Sequence, residues 1–268
     1  MSKQLYILTR FNIGLHLHPD RYEYESYMQR RWEWFRATTV PSVVNQTCTN
    51  FKWLVLIDKQ TPADWKRMMR GEAYDLIEID GEAIGVTDAV GDEHQRRIGR
   101  EALAQAGHRG TGLTLTARLD SDDCLARHYV WRVRKALRRP QQGVSFVQGF
   151  YWYHQEGRWG GLFQSRYRKN MFPAVCGVGK TVFEIDHPRL HKRFEMQYEA
   201  GGQMWLHNWL PDGMNLQNFT SRNVKRTGRP KCQGGKKAKM NDRHIGKVFG
   251  IDIERAKEIA ERWNSKDC

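Results

Sequence analysis

The chain has 268 residues, 40% hydrophobic and 12% aromatic, enough apolar material for a large core in one large domain or two small ones. Its formal charge is +14 and its pI about 9.7, which points to an anionic partner: nucleic acid, a nucleotide-linked substrate or an acidic membrane surface. No apolar run of about 18 residues occurs, so no transmembrane helix is expected; the five cysteines (Cys48, Cys124, Cys176, Cys232, Cys268) form no Cys-x-x-Cys, which argues for a reducing, cytoplasmic setting without a zinc site.

In chain order, Gln4–Thr9 reads as a first strand running into Arg10-Phe11-Asn12. Ser26–Val40 reads as a helix, with Tyr27, Trp34, Phe35 and Val40 in loose helical spacing, and Pro41–Thr47 as its end and a turn. Phe51–Asp58 is a nearly continuous apolar run, as expected of a strand covered on both faces. Pro62–Met69 predicts a short helix with proline near its first turn, and Tyr74–Asp80 a third strand. Asp92–Gln105 predicts a helix bearing Arg96, Arg97 and Arg100, with Gly107 and Gly110 past its end. Leu113–Leu119 is the fourth strand, with Leu113, Leu115, Ala117 and Leu119 on one face; it leads into Asp120-Ser121-Asp122-Asp123.

Beyond it, a helix is expected near Leu125–Leu137 and a strand over Gly143–Tyr151, ending in the aromatic cluster Tyr151-Trp152-Tyr153. Thr181–Ile185 reads as a strand before Asp186-His187-Pro188. Gln203–Leu210 reads as an amphipathic helix, with Pro211-Asp212-Gly213 as the turn after it. Between Arg222 and Lys239 there are eight Lys or Arg and no acidic residue, so this stretch reads as a flexible basic loop. Ile251–Trp263 is a final amphipathic helix. The expected division is residues 1–221 as one α/β domain and 222–268 as a basic loop and C-terminal helix packed on the body.

The alternation of strands and helices over the first 123 residues argues for a mostly parallel sheet flanked by helices. In such sheets ligands bind at the carboxyl ends of the strands. Arg10, Asp58 and the Asp120–Asp123 turn all fall at such ends. Three carboxylates in four positions repel one another, and a Mg²⁺ or Mn²⁺ ion relieves that conflict with oxygen ligands. A helix cap or solvated turn is the plainer reading of the same residues. No Gly-x-Gly-x-x-Gly follows the first strand, and Gly177–Thr181 lacks the first P-loop glycine, position 174 being Ala174.

Three stretches stand in the order found in GT-A-fold glycosyltransferases of family 2. Pro41–Thr47 followed by Asn50–Asp58 resembles their Ser-Val-x-Asn-Gln-Thr … Asn-Phe-x-Trp segment. Arg96–Ala102 loosely resembles a helix segment before the acidic strand. Arg118–Asp123 is similar to their Asp-x-Asp-Asp metal motif. Thr9–Asn12, Asn50–Asp58 and Arg118–Asp123 together resemble the putative rhamnosyltransferase family, well over the first half of the chain and poorly over the second.

The resemblance implies a GT-A-like fold and a nucleotide-sugar donor whose sugar, rhamnose by the family's name, passes to a glycan or other hydroxyl acceptor. It implies a Mn²⁺ or Mg²⁺ ion at Asp120 and Asp122, with Asp123 holding water or sugar hydroxyls. Donor contacts would come from Thr9, Arg10, Asp58, Arg97, Arg100 and Asp120. The Glu-Asp pair that often opens a late helix in those enzymes is replaced by Gly202-Gln203, which leaves Glu199, Asp212 and His187 as candidates for the base or acceptor contact. His207 and His244 are candidates for a further metal ligand. The basic loop would close over the diphosphate or meet an acidic acceptor or membrane surface. A nucleic-acid-binding protein or a metal-dependent phosphoryl-transfer enzyme is the alternative, although no nucleic-acid recognition motif is present.

Overall fold

The computed structural model describes residues 3–15, 24–71, 73–81, 92–108, 110–154, 161–184, 187–209, 236–237 and 242–264. The first strand, β1 (Leu5–Arg10), precedes α1 (Tyr24–Trp34), which passes through a π-helical turn at Phe35–Thr39 into α2 (Val40–Val44). The sequence places a helix end at Pro41, yet the helical path continues to Val44. The Val40 amide donates to Phe35 O, a wide turn, after which Pro41 sits in the first turn of α2, where a missing N–H costs nothing.

Next come β2 (Lys52–Asp58), α3 (Ala63–Met69), β3 (Asp75–Ile79), α4 (Asp92–Gln105), β4 (Leu113–Arg118), β5 (Cys124–Leu125) and α5 (Tyr129–Ala136). The second half holds β6 (Gln142–Phe146), β7 (Gln148–Tyr153), β8 (Gly161–Arg166), β9 (Ala174–Val178), a 3-10 turn at His187–Lys192, β10 (Glu195–Glu199), β11 (Trp205–Trp209), β12 (Lys236–Lys237), α6 (Asp242–Phe249) and α7 (Ile253–Asn264).

These strands form two sheets. The larger has the order β10-β6-β9-β4-β1-β2-β3, parallel throughout except for β9, which runs antiparallel to both β4 and β6. The smaller has the order β12-β8-β7-β11-β5. Side chains alternate between the faces of the large sheet. Leu5, Ile7, Val55, Ile57, Leu115 and Ala117 join one apolar cluster, which also takes in Phe249, Ala256 and Ile259 of the C-terminal helices. Tyr6, Leu8, Leu54, Leu56, Ile77 and Ile79 join a second with Ile98 and Ala102 of α4. The central strands are therefore covered on both sides, which explains the nearly continuous apolar run of β2; β4 alternates Leu with Thr114 and Thr116, which are buried too. Among the described residues no helix is long and apolar enough to cross a membrane.

Three expectations for the second half change. The single strand over Gly143–Tyr151 is two strands in different sheets, broken at Val147, whose amide turns to Glu199 O at 2.9 Å. The described part of Thr181–Ile185 is a turn: Thr181 Oγ1 accepts the Phe183 amide at 3.1 Å, and Thr181 O accepts the Glu184 amide at 3.1 Å. This is the local bonding by which threonine competes with strand formation. The described part of Gln203–Leu210 is not a helix, because Trp205–Trp209 is the strand β11, parallel to β7 and antiparallel to β5. Trp205 and Leu206, on opposite faces of that strand, are both fully buried, so no amphipathic period marks it.

Candidate active site

Parallel pairing of β2, β1 and β4 brings Arg10, Asp58 and the acidic turn to one edge. The Leu119 amide bonds Leu8 O at 3.1 Å, which sets Asp120 beside the end of β1. Arg10 Nη2 lies 3.9 Å from Asp120 Oδ1. Its Nη1 donates to Gln95 Oε1 at 3.2 Å, and its guanidinium lies over the Phe183 ring, 5.4 Å from the centroid. Arg10 is thus a partly exposed cation on the lip of the strand ends.

Two expected donor residues face inward. Thr9 is fully buried and accepts a hydrogen bond from Trp53 Nε1 at 3.0 Å. Asp58 is buried, and its oxygens accept the amides of Gly14 at 2.8 Å and Gln60 at 2.9 Å. The Asp58 amide donates to Asn12 Oδ1 at 3.1 Å. A Cβ at Gly81 would stand 2.3 Å from Asp58 Oδ2, so only glycine permits that approach. Asp58 therefore ties together the loops after β1, β2 and β3.

The acidic turn closes through the Asp123 amide donating to Asp120 O at 3.1 Å, and each carboxylate meets its own cation. Arg118 grips Asp120 with two arms, Nε to Oδ1 at 3.1 Å and Nη2 to Oδ2 at 3.0 Å. Arg31 of α1 pairs with Asp122 Oδ2 at 2.8 Å and donates from Nε to Ser121 Oγ at 2.9 Å. Burial works against the Arg31 charge, but Asp122, together with Tyr27 and Asp123, outweighs it and leaves the pKa raised. His207 Nδ1 lies 2.9 Å from Asp123 Oδ1, which also accepts the Asn208 amide at 2.9 Å. The mutual repulsion that the sequence leaves to a metal ion is thus met by two guanidiniums and an imidazole.

The Asp123–His207 pair is buried on both sides. Burial raises the Asp123 carboxyl to about 7 against the opposing pull of His207. Burial lowers His207, and Asp123, together with Asp122 and Asp120, outweighs this and leaves it raised. Asp123 Oδ2 is buried without a hydrogen bond. Below the turn, Asn208 Nδ2 and Trp34 Nε1 both donate to Asp122 O, at 2.6 and 3.0 Å. His154 bonds Asn208 Oδ1 at 3.2 Å and packs on Trp34.

Other expected site residues stand apart. Arg97 and Arg100 lie on the exposed face of α4, and it is Gln95 that meets Arg10. Glu199 ends β10, three strands from β4 and so on the order of 14 Å away, where it pairs with Arg132 at 2.9 Å. His187 opens the 3-10 turn at His187–Lys192. Asp212 and most of the basic loop lie outside the described residues. His244 is exposed on α6. His207 and Asn208 carry no periodic signal in the sequence, and only the pairing of β11 with β5 sets them against Asp123.

Carboxylate oxygens on one turn suit a hard divalent cation. Among the described residues no three His, Cys, Asp or Glu side chains form a metal-holding group. An ion held by one or two of these carboxylates would draw its remaining ligands from water and substrate phosphates, a usual arrangement for Mg²⁺.

The large sheet is thus mostly parallel and flanked by helices, with the acidic turn at the carboxyl ends of its strands. The chain belongs to the family described as "Putative rhamnosyl transferase", which matches residues 20–220. No curated protein gives a match. A solved structure from Desulfovibrio desulfuricans G20, described as a "putative nucleotide-diphospho-sugar transferase", is similar over 100% of both chains at 13% identity and a TM-score of 0.42.

Proposed function

We propose that the chain is a metal-dependent glycosyltransferase that moves a sugar, rhamnose by the family's description, from a nucleoside-diphosphate donor to an acceptor hydroxyl. The observation that carries the site assignment is the meeting of Arg10 and the Asp120–Asp123 turn at the carboxyl edge of β1 and β4. Arg10 binds the donor diphosphate, since a guanidinium matches phosphate oxygens in a planar fork. Asp120 and Asp122 would hold the Mn²⁺ or Mg²⁺ ion, and Arg118 and Arg31 fix the orientation of those carboxylates. When bound, the ion supplies charge neutralisation at the leaving diphosphate. Asp58 shapes the loops around the donor.

The test is a thermal-shift panel of UDP, GDP, dTDP and CMP, each with and without Mn²⁺. A metal-dependent rise with one nucleotide supports the reading and identifies the donor class. A flat panel with stabilisation by short DNA or RNA at low salt favours the nucleic-acid alternative.

A further inference from the structure

The end of α2 and the start of α5 build one surface. Gln46 Oε1 accepts the Val130 amide at 3.0 Å, the Thr47 amide donates to Arg127 O at 2.8 Å, and Arg127 Nε donates to Asn45 O at 3.3 Å. Val44 adjoins Asn45, and Trp131 follows Arg127 by four positions. They are 52% and 49% exposed, two of the five large apolar side chains left in solvent among the described residues, so a single surface holds more than scattered exposure would place there. Trp131 and Lys135 are one turn apart on α5, and Lys135 Nζ lies 5.1 Å from the Trp131 ring centroid.

The charge that these two segments bring is of one sign. Residues 34–57 and 124–155 hold no Asp or Glu. Arg132 and Arg139 are matched by Glu199 and Glu195 of β10. Arg127, Arg134 and Arg138 meet backbone carbonyls instead: Asn45 O, Lys3 O with Asn50 O, and Lys135 O. The adjoining turn at Gly250, whose carbonyl accepts Asn45 Nδ2, leads to Asp252, and that carboxylate caps α7 through the Arg255 amide at 3.1 Å. Arg134 reaches the amino ends of β1 and β2, so the surface extends away from the carboxyl edge that carries Arg10 and Asp120. A half-exposed tryptophan with an ammonium on its ring has the apolar body and polar tip that settle at lipid headgroups. A nucleic acid would stack bases on a ring face, but Lys135 covers one face, and Val44 has no π-face to offer. A second copy would set the same positive charge against itself.

We propose that the α2–α5 surface docks the protein on an anionic lipid bilayer. Trp131 and Val44 enter the headgroup layer, and Arg127, Arg134, Lys135 and Arg138 meet the lipid phosphates. The docking stands whether or not the chain transfers a sugar, because none of these residues belongs to the donor edge.

The test is sedimentation of the full chain with phosphatidylcholine vesicles, with and without phosphatidylglycerol, at about 0.1 M and about 1 M salt. The unaltered chain is expected to bind only the phosphatidylglycerol vesicles, and more weakly at the higher salt. Arg127→Gln combined with Lys135→Gln weakens that binding about 30-fold, since each charge near the surface contributes about fivefold. Trp131→Ser weakens it about tenfold, and Trp131→Phe keeps most of it. All four positions changed are exposed or replaced by a ring, so the variants melt close to the unaltered chain, and the lipid and salt dependence is read without any variant. No binding to either vesicle, equal binding to both, or binding that the α5 variants leave unchanged overturns the proposal. Variants that lose a short DNA duplex but keep the vesicles overturn it in favour of nucleic acid. A dimer that Trp131→Ser breaks, in a chain that binds no vesicle, overturns it in favour of a second copy.

Discussion

The Arg31 guanidinium and the Asp122 carboxylate meet at 2.8 Å, with the two side chains only 3% and 7% exposed. This pair couples α1 to the turn that ends the fourth strand, across 91 positions of sequence. Removing one member strands a buried charge. Arg31→Met is expected to lower stability by about 3–5 kcal/mol, and a second change, Asp122→Leu, to restore much of that loss. Urea melts of the single and double variants check this.

Asp120 tests the metal role with less damage, since it lies at the mouth beside Arg10. Asp120→Asn keeps the shape of the side chain and removes its charge. At nucleotide concentrations about 100-fold above Kd, the unaltered protein gains about 2.7 kcal/mol. The variant is expected to lose the Mn²⁺-dependent part of that gain, measured by thermal shift. An unchanged Mn²⁺ response would exclude Asp120 from the ion's ligands.

His154 predicts acid sensitivity. Burial lowers its pKa from 6.5 to about 4, with the Asn208 hydrogen bond opposing. The unfolded chain therefore takes up a proton on this ring near pH 6.5 while the native chain does so only near 4. Stability falls as pH drops through that window, by about 3 kcal/mol in total, and is flat from this source above it. His154→Gln, which keeps an amide beside Asn208, is expected to flatten the pH 4–6.5 segment of a chemical-denaturation profile.

Two glycines separate rigid from yielding contacts. A Cβ at Gly149 would stand 2.0 Å from the Trp205 ring, which is fixed by its stack on Phe172 and its bond to Phe146 O. A Cβ at Gly143 would stand 2.2 Å from Met196 Sδ, on a flexible side chain. Gly149→Ala is expected to cost about 3 kcal/mol and Gly143→Ala about 1 kcal/mol or less, by thermal or urea melts.

The sequence by itself determined the parallel half of the fold. The runs at Leu5–Arg10 and Lys52–Asp58 are largely apolar because both faces are buried, and Leu113–Arg118 alternates Leu with buried Thr, signals that local composition carries. It also determined that Arg10, Asp58 and Asp120–Asp123 end such strands. Tertiary structure decided the rest. Trp205–Trp209 looked helical because a strand covered on both faces has no period to read, and its pairing with Cys124–Leu125 alone places His207 on Asp123. Thr9 and Asp58 were named from strand ends, but side-chain direction and backbone amides turned them inward. The charge balance of the acidic turn was equally hidden, because Arg31 and His207 reach it from 91 positions before and 84 after. Electrostatic pairing acts through space, and no spacing along the chain records it.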